Sequence, residues 1–201
     1  MAVHNHYPKA AVMTGLPDES FIRADIPMTK REIRASVVSR LSPAKDAIVY
    51  DIGAGTGSVS VELAMHALYG TVYAVERTKE GCELIAQNAR KFGLDNIDII
   101  NASAADVIEK LPAADSVFIG GSGGELEKIM DIVLKKNPGV HIVITAVTLE
   151  TLNDSVRLME DKKVDVIDIV QIAVTQIKKR GRYHMLAANN PVFIIEGRGN
   201  R

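Results

Sequence analysis

The feature that most constrains this chain is a glycine-spaced loop set between an apolar run and a helical pattern. It reads Val49-Tyr-Asp-Ile-Gly-Ala-Gly-Thr-Gly-Ser58. Residues 47–52 are short and apolar, as a buried strand is, and residues 58–68 have helical spacing. Glycine at 53, 55 and 57 lets the backbone turn tightly and come close to a ligand. That ligand also meets the positive end of the next helix. The alternation then continues. Strands are expected at 71–76, 97–101, 116–120 and 140–147, and helices at 79–92, 104–111, 125–136 and 149–162. Gly93 closes the second of these helices. Apolar strands alternating with helices make a parallel sheet covered on both faces.

The end of the chain breaks the alternation. Residues 164–178 are rich in β-branched types with no helix after them, a basic turn follows at 178–181, and residues 190–196 read as another strand. Two late strands without an intervening helix imply an antiparallel pair. Five strand–helix units plus a terminal hairpin give an α/β, Rossmann-like sheet of seven strands, mostly parallel with the last one antiparallel. That is the class I methyltransferase architecture.

Two cofactors compete for such a loop. A dinucleotide fingerprint, Gly-x-Gly-x-x-Gly, requires glycine at 58 or 60, and both positions are serine. The spacing is instead Gly-x-Gly-x-Gly, the form used with S-adenosylmethionine. Asp51, Gly53, Ala54, Gly55, Thr56 and Gly57 are therefore candidate cofactor residues. Glu76 ends the next strand, nineteen residues beyond Gly57. A carboxylate there accepts hydrogen bonds from ribose hydroxyls. Methyltransferases often carry an acid near the adenine, where this chain has Ser103. Contact is then expected from the Ser103 side chain and the Ala104 backbone.

Composition narrows the partners. A net charge of −1 over 201 residues argues against a nucleic-acid backbone as the main partner. Cys82 is alone, so no intramolecular disulfide forms, and its helical setting reads as a small core residue. No apolar run reaches the length of a membrane span, and residues 1–9 lack an apolar signal segment, so a cytoplasmic location is expected. Residues 1–28, with Pro8, Pro17 and Pro27, read as an arm or lid, and residues 29–201 as one domain. His4 and His6 find no third ligand, and no metal site is expected. Thr29 and Glu32 have capping-box spacing at the start of a helix striped by Ile33, Val37, Val38 and Leu41.

The methyl acceptor must be sought elsewhere. After the fourth strand the chain runs Phe118-Ile-Gly-Gly-Ser-Gly-Gly-Glu125, with no amide or carboxylate in its first positions. Gly120, Gly121, Ser122, Gly123 and Gly124 instead form a backbone cradle suited to anions such as substrate carboxylates. Asn190-Pro-Val-Phe193 sits on the last strand and reads as a strand entry.

Together with Pro17-Asp-Glu-Ser-Phe-Ile-Arg23, Pro27-Met-Thr-Lys-Arg-Glu32 and Ala146-Val-Thr-Leu-Glu-Thr-Leu152, these segments resemble the CbiT family, the decarboxylating cobalt-precorrin-6B methyltransferases of cobalamin biosynthesis. The resemblance runs from about residue 15 to 196. It implies methylation of carbon 15 of a corrinoid tetrapyrrole with loss of carbon dioxide from the acetate chain on carbon 12. It implies cofactor contacts from Thr29, residues 53–57, Glu76 and Ala104, although capping alone also accounts for Thr29. It implies a homotetramer, with a carbon-5 precorrin methyltransferase as functional partner. The acceptor's carboxylates call for basic residues. Lys178, Lys179, Arg180 and Arg182 are candidates, with Tyr183 and His184 beside them. Thr148 and Glu150, after the fifth strand, lie where ligands sit in open α/β sheets. Thr148, Glu150 and His184 are the candidate catalytic residues. His66 and His141 read as surface or core positions. The alternative is a methyltransferase for RNA or another small molecule, and a non-catalytic nucleotide-binding module is a third reading.

Overall fold

The computed structural model describes residues 14–200; His4 and His6 lie outside them. After a short 3-10 turn at Asp18–Ser20 come α1 (Arg31–Leu41), β1 (Ile48–Ile52), α2 (Ser58–His66), β2 (Thr71–Glu76), α3 (Lys79–Phe92) and β3 (Ile97–Asn101). Then follow α4 (Ala104–Val107), β4 (Ser116–Ile119), α5 (Leu126–Lys136), β5 (His141–Ala146) and α6 (Leu149–Asp161). The chain ends with β6 (Asp165–Ile172), β7 (Thr175–Arg180), β8 (Tyr183–Ala188) and β9 (Val192–Arg198). The expected sheet is present. Its order is β3-β2-β1-β4-β5-β9-β6. β1 to β5 pair in parallel, while β9 runs antiparallel to both β5 and β6.

Successive side chains of a strand point to opposite faces, and both faces are covered. Val49, Phe118 and Val143 pack on one side with Val37 and Val38 of α1 and Leu63 of α2. Tyr50, Ile52, Val117, Ile119, Ile142 and Ile144 pack on the other with Ile129, Met130 and Leu158 of α5 and α6. Full burial of such side chains stabilises by about 1.5–3 kcal/mol each. Caps set the helix ends: Thr78 Oγ1 accepts from Gly81 N before α3, and Gly93 closes α3 at φ 66°.

Five expectations need correction. The capping box at Thr29 does not form. Lys30 precedes α1 without a side-chain cap, and the Thr29 carbonyl accepts from Arg34 Nη1 at 2.6 Å. Residues 14–28, read as an arm or lid rather than a packed element, form a packed strap. Leu16 and Phe21 are buried against Val61 and Met65. The single strand expected at 164–178 is two, because Ala173 and Val174 separate β6 from β7. The basic residues 178–180 lie in β7 rather than in a turn, and β8, read as no element, pairs with them. The β7–β8 hairpin forms its own two-stranded sheet. Cys82 is only half-buried, its thiol on the Glu76 carbonyl.

Candidate active site

A cleft of about 390 Å³ opens at the carboxyl ends of β1, β2 and β4. The glycine loop forms its floor. Gly53, Gly55 and Gly57 all have positive φ, between 56° and 75°. Gly53 N and Ala54 N donate to the Val75 carbonyl, which ties the loop to β2. Gly53 is required by contact as well as by φ. A Cβ there would sit 2.5 Å from the Gly121 carbonyl oxygen. Gly120 N donates to the Ile52 carbonyl at 2.9 Å. The two glycine runs, after β1 and after β4, thus touch backbone to backbone.

Glu76 closes the cleft from the end of β2. Its Oε1 accepts from Thr78 N at 2.9 Å and Thr78 Oγ1 at 2.8 Å, and its Oε2 accepts from Gly55 N at 3.0 Å. The carboxylate is thereby locked facing the loop. Gly81 permits this, since a Cβ at that position would lie 2.6 Å from Glu76 Cγ.

Asp51 does not face the cleft. It is fully buried beneath the loop, and Ser60 Oγ of α2 donates to its Oδ2 at 2.5 Å. Burial pushes its carboxyl up to about 7; the Ser60 hydrogen bonds oppose this and the Glu76 charge adds to it. Asp51 Oδ1 and Thr56 Oγ1 are buried without a hydrogen-bond partner. Thr56 and Gly57 are buried too, and neither they nor Ala54 line the cleft. The loop therefore presents two of its glycines to the cleft and turns its polar side chains inward.

The other expected residues divide. Ser103 and Ala104 line the cleft with Gly121, Ser122 and Gly123, while Gly120, Gly124 and Thr29 do not. Thr148 caps α6, accepting from Thr151 N at 3.2 Å, and is exposed, as is Glu150. Arg180, Arg182 and His184 belong to the hairpin and its turn, outside the cleft lining. Arg182 Nη2 donates to the Tyr183 hydroxyl at 2.7 Å. His66 bonds Thr14 and His141 bonds Glu196.

Sequence reasoning did not name the strap residues that line the site. Ile26 and Pro27 form one wall. The strap is stapled in place by buried polar groups. Arg34 Nε donates to Glu62 Oε1 at 2.6 Å, Arg34 Nη2 to the Leu16 carbonyl at 2.5 Å, and Gly15 N to Glu62 Oε2 at 2.7 Å. Asn88 Nδ2 reaches both the Ile22 and Thr56 carbonyls, joining strap to loop. Glu125 also lines the cleft.

A family model described as "Precorrin methyltransferase domain" matches residues 20–197. The chain belongs to the precorrin methyltransferase family. One member of the family, from Pyrobaculum calidifontis, is described as a "probable cobalt-precorrin-6B C(15)-methyltransferase (decarboxylating)". It is 40% identical over 184 residues, covering 90% of this chain and 94% of that protein. The cobalt-precorrin-6B C(15)-methyltransferase (decarboxylating) of Salmonella typhimurium is 35% identical, covering 90% of this chain and 94% of that one. The crystal structure of precorrin-6Y C5,15-methyltransferase from Geobacter metallireducens superposes with a TM-score of 0.87 at 36% identity. It covers 96% of this chain and 99% of that chain. The precorrin methyltransferase fold is thus the fold of this chain, and methyl transfer is its chemistry.

Proposed function

We propose that this enzyme binds S-adenosylmethionine in the cleft and methylates carbon 15 of cobalt-precorrin-6B, releasing the carboxyl carbon of the carbon-12 acetate as carbon dioxide to give cobalt-precorrin-7. One observation carries the donor half: the Glu76 carboxylate, locked by Thr78 and Gly55, faces a glycine floor with no side chain to fill it. A nucleoside with a vicinal diol fits that donor and acceptor set, because a carboxylate accepts from ribose hydroxyls. The acceptor half is supported by the names of the relatives.

When bound, the sulfonium supplies an already activated methyl group. The protein's work is alignment and exclusion of water. Gly53 and Gly55 shape the floor and Glu76 holds the ribose, with Ser103 and Ala104 near the base. Ile26 and Pro27 shield one side. Asp51, Ala54, Thr56 and Gly57 act beneath the loop by fixing its shape, and Thr29 acts through the strap. Gly121, Ser122 and Gly123 present backbone to the acceptor, with Gly120 and Gly124 setting the turn. Loss of carbon dioxide breaks the bond between the acetate methylene and its carboxyl carbon. The electron pair enters the conjugated ring, the former acetate methylene takes up a proton to become methyl, and carbon 15 gives one up as it gains its methyl, so no enzymic nucleophile is needed. Thr148 and Glu150, beside β4 at the end of β5, flank the acceptor. Arg180 and Arg182 pair with its carboxylates, with His184 within the same hairpin.

The working form is a cytoplasmic homotetramer. Ile177, Met185 and Leu186 of the hairpin are 56–75% exposed, and assembly would cover them. A carbon-5 precorrin methyltransferase is the proposed functional partner.

The test is incubation with methyl-labelled S-adenosylmethionine and cobalt-precorrin-6B. Labelled product and carbon dioxide are expected in equal amounts. Absence of both refutes the acceptor. In a thermal-shift screen, stabilisation by NAD but not by S-adenosylhomocysteine refutes the donor.

A further inference from the structure

We propose that Glu125 selects adenine in the cleft, its carboxylate accepting a hydrogen bond from the 6-amino group of the base. The inference rests on the S-adenosylmethionine reading above and names a residue that the glycine loop does not contain.

Glu125 stands at the end of the second glycine run, directly ahead of α5, and Glu125 N donates to the Ser122 carbonyl at 3.1 Å. Its half-buried side chain lines the cleft together with Ala102, Ser103 and Ala104 from the end of β3. In the sheet β3 lies next to β2, on the side away from β1. A nucleoside whose ribose is held at the end of β2 therefore extends its base over the end of β3.

Donors and acceptors at that end are unevenly supplied. The Ser103 hydroxyl donates its one proton to Glu125 Oε2. What remains on this pair of side chains is lone pairs: those of the Ser103 oxygen and of Glu125 Oε1. A hydroxyl has a single O–H to give and an ionised carboxylate only accepts. A base with a 6-amino group supplies the matching N–H. A base with a 6-oxo group sets acceptor against acceptor, and a partly buried polar pair left unmatched loses binding. Of the two carboxylates lining the cleft, Glu76 already accepts from Thr78 and Gly55 and has its remaining lone pair for the ribose. Glu125 is the one left for the base. Position 103 lacks an acid because the acid arrives from across the cleft, held by Ser103.

Calorimetric titration with S-adenosylhomocysteine and with S-inosylhomocysteine, its 6-oxo counterpart, tests this without turnover. The wild-type protein is expected to prefer the adenine compound by about tenfold or more. Glu125→Gln offers either an oxygen or an N–H2 group, so the ratio falls towards one, mainly through tighter binding of the inosine compound. Glu125→Ala weakens the adenine compound about tenfold. Ser103→Ala, which frees the carboxylate to swing, lowers the ratio without inverting it. It decides the question if the Glu125 variants do not fold. A ratio within about twofold of wild type in Glu125→Gln and Ser103→Ala overturns the proposal, as does equal weakening of both compounds. Wild-type protein that binds neither compound overturns the donor reading instead.

Discussion

Arg34 and Glu62 form an ion pair at 2.6 Å with both side chains fully buried. The pair joins α1 to α2, and the strap is threaded through it: the Leu16 carbonyl accepts from Arg34 while Gly15 N and Leu16 N donate to Glu62. The Arg34 guanidinium also lies 4.5 Å from the centre of the Phe21 ring.

Arg34→Met leaves the Glu62 charge buried without its cation. Breaking one side of a buried pair costs about 3–5 kcal/mol, and urea unfolding should show a loss of that size. Arg34→Met/Glu62→Leu should recover part of it. The single variant should also bind S-adenosylhomocysteine more weakly, because the strap carries Ile26 and Pro27 into the cleft wall. Unchanged unfolding refutes the assignment.

Gly53 and Gly93 separate contact from conformation. Both have positive φ, at 72° and 66°, but a Cβ at Gly93 meets nothing within 4 Å. Gly93→Ala should cost only the left-handed penalty, about 1–2 kcal/mol, and leave cofactor affinity unchanged. Gly53→Ala should cost more in the same urea experiment and weaken S-adenosylhomocysteine at least about tenfold, because its Cβ collides with the Gly121 carbonyl. Equal effects of the two substitutions on affinity would contradict the described contact.

Asp51 makes stability fall as pH rises. Its carboxyl titrates at about 7 in the folded protein and near 4 in the unfolded chain. Between those values the native state keeps a proton that the unfolded state has lost, so raising the pH favours unfolding. The full effect is about 4 kcal/mol for a shift of roughly three pH units. Asp51→Asn has no such proton. Its stability relative to wild type should improve on going from pH 5 to pH 8, and a pH-independent difference would count against a raised Asp51.

Much of this was legible from residues alone. Buried parallel strands read as apolar runs, and β2, α3 and β3 fall within the expected bounds, with Gly93 marking the end of α3. The break in β6 and β7 was not legible, since β-branched residues flank Ala173 and Val174 on both sides and no glycine or proline marks the gap. Tyr183–Ala188 has no β-branched residue, so β8 left no local sign. At Thr29 the capping spacing was real, but α1 starts at Arg31 with Lys30 at its cap position, and the Thr29 carbonyl accepts from Arg34 instead. Arg34 itself left a signal: a charge beside Ile33 on the buried stripe of α1. Glu125 read only as the start of a helix, because its partner Ser103 lies 22 residues away in sequence.

The hairpin gives a prediction about assembly. Leu186 is 75% exposed and pairs with Ile177 across the β7–β8 ladder. Leu186→Asp should leave the unfolding midpoint of the domain near that of wild type. In sedimentation it should shift the mass from the proposed four chains to fewer. A tetramer that survives this change would place the interface elsewhere.

The backbone contact between Gly53 and Gly121 makes the two loops a single mechanical part. Gly53 cannot gain a side chain unless the Gly121 backbone retreats, whereas a Cβ at Gly121 meets nothing within 4 Å, so the constraint runs from the second loop's backbone to the first loop's side chain. An attempt to widen the protein's choice of acceptor by moving the backbone of the second loop at Gly121 would also reshape the seat of the donor. Retargeting this scaffold therefore has to begin with residues that touch only one of the two.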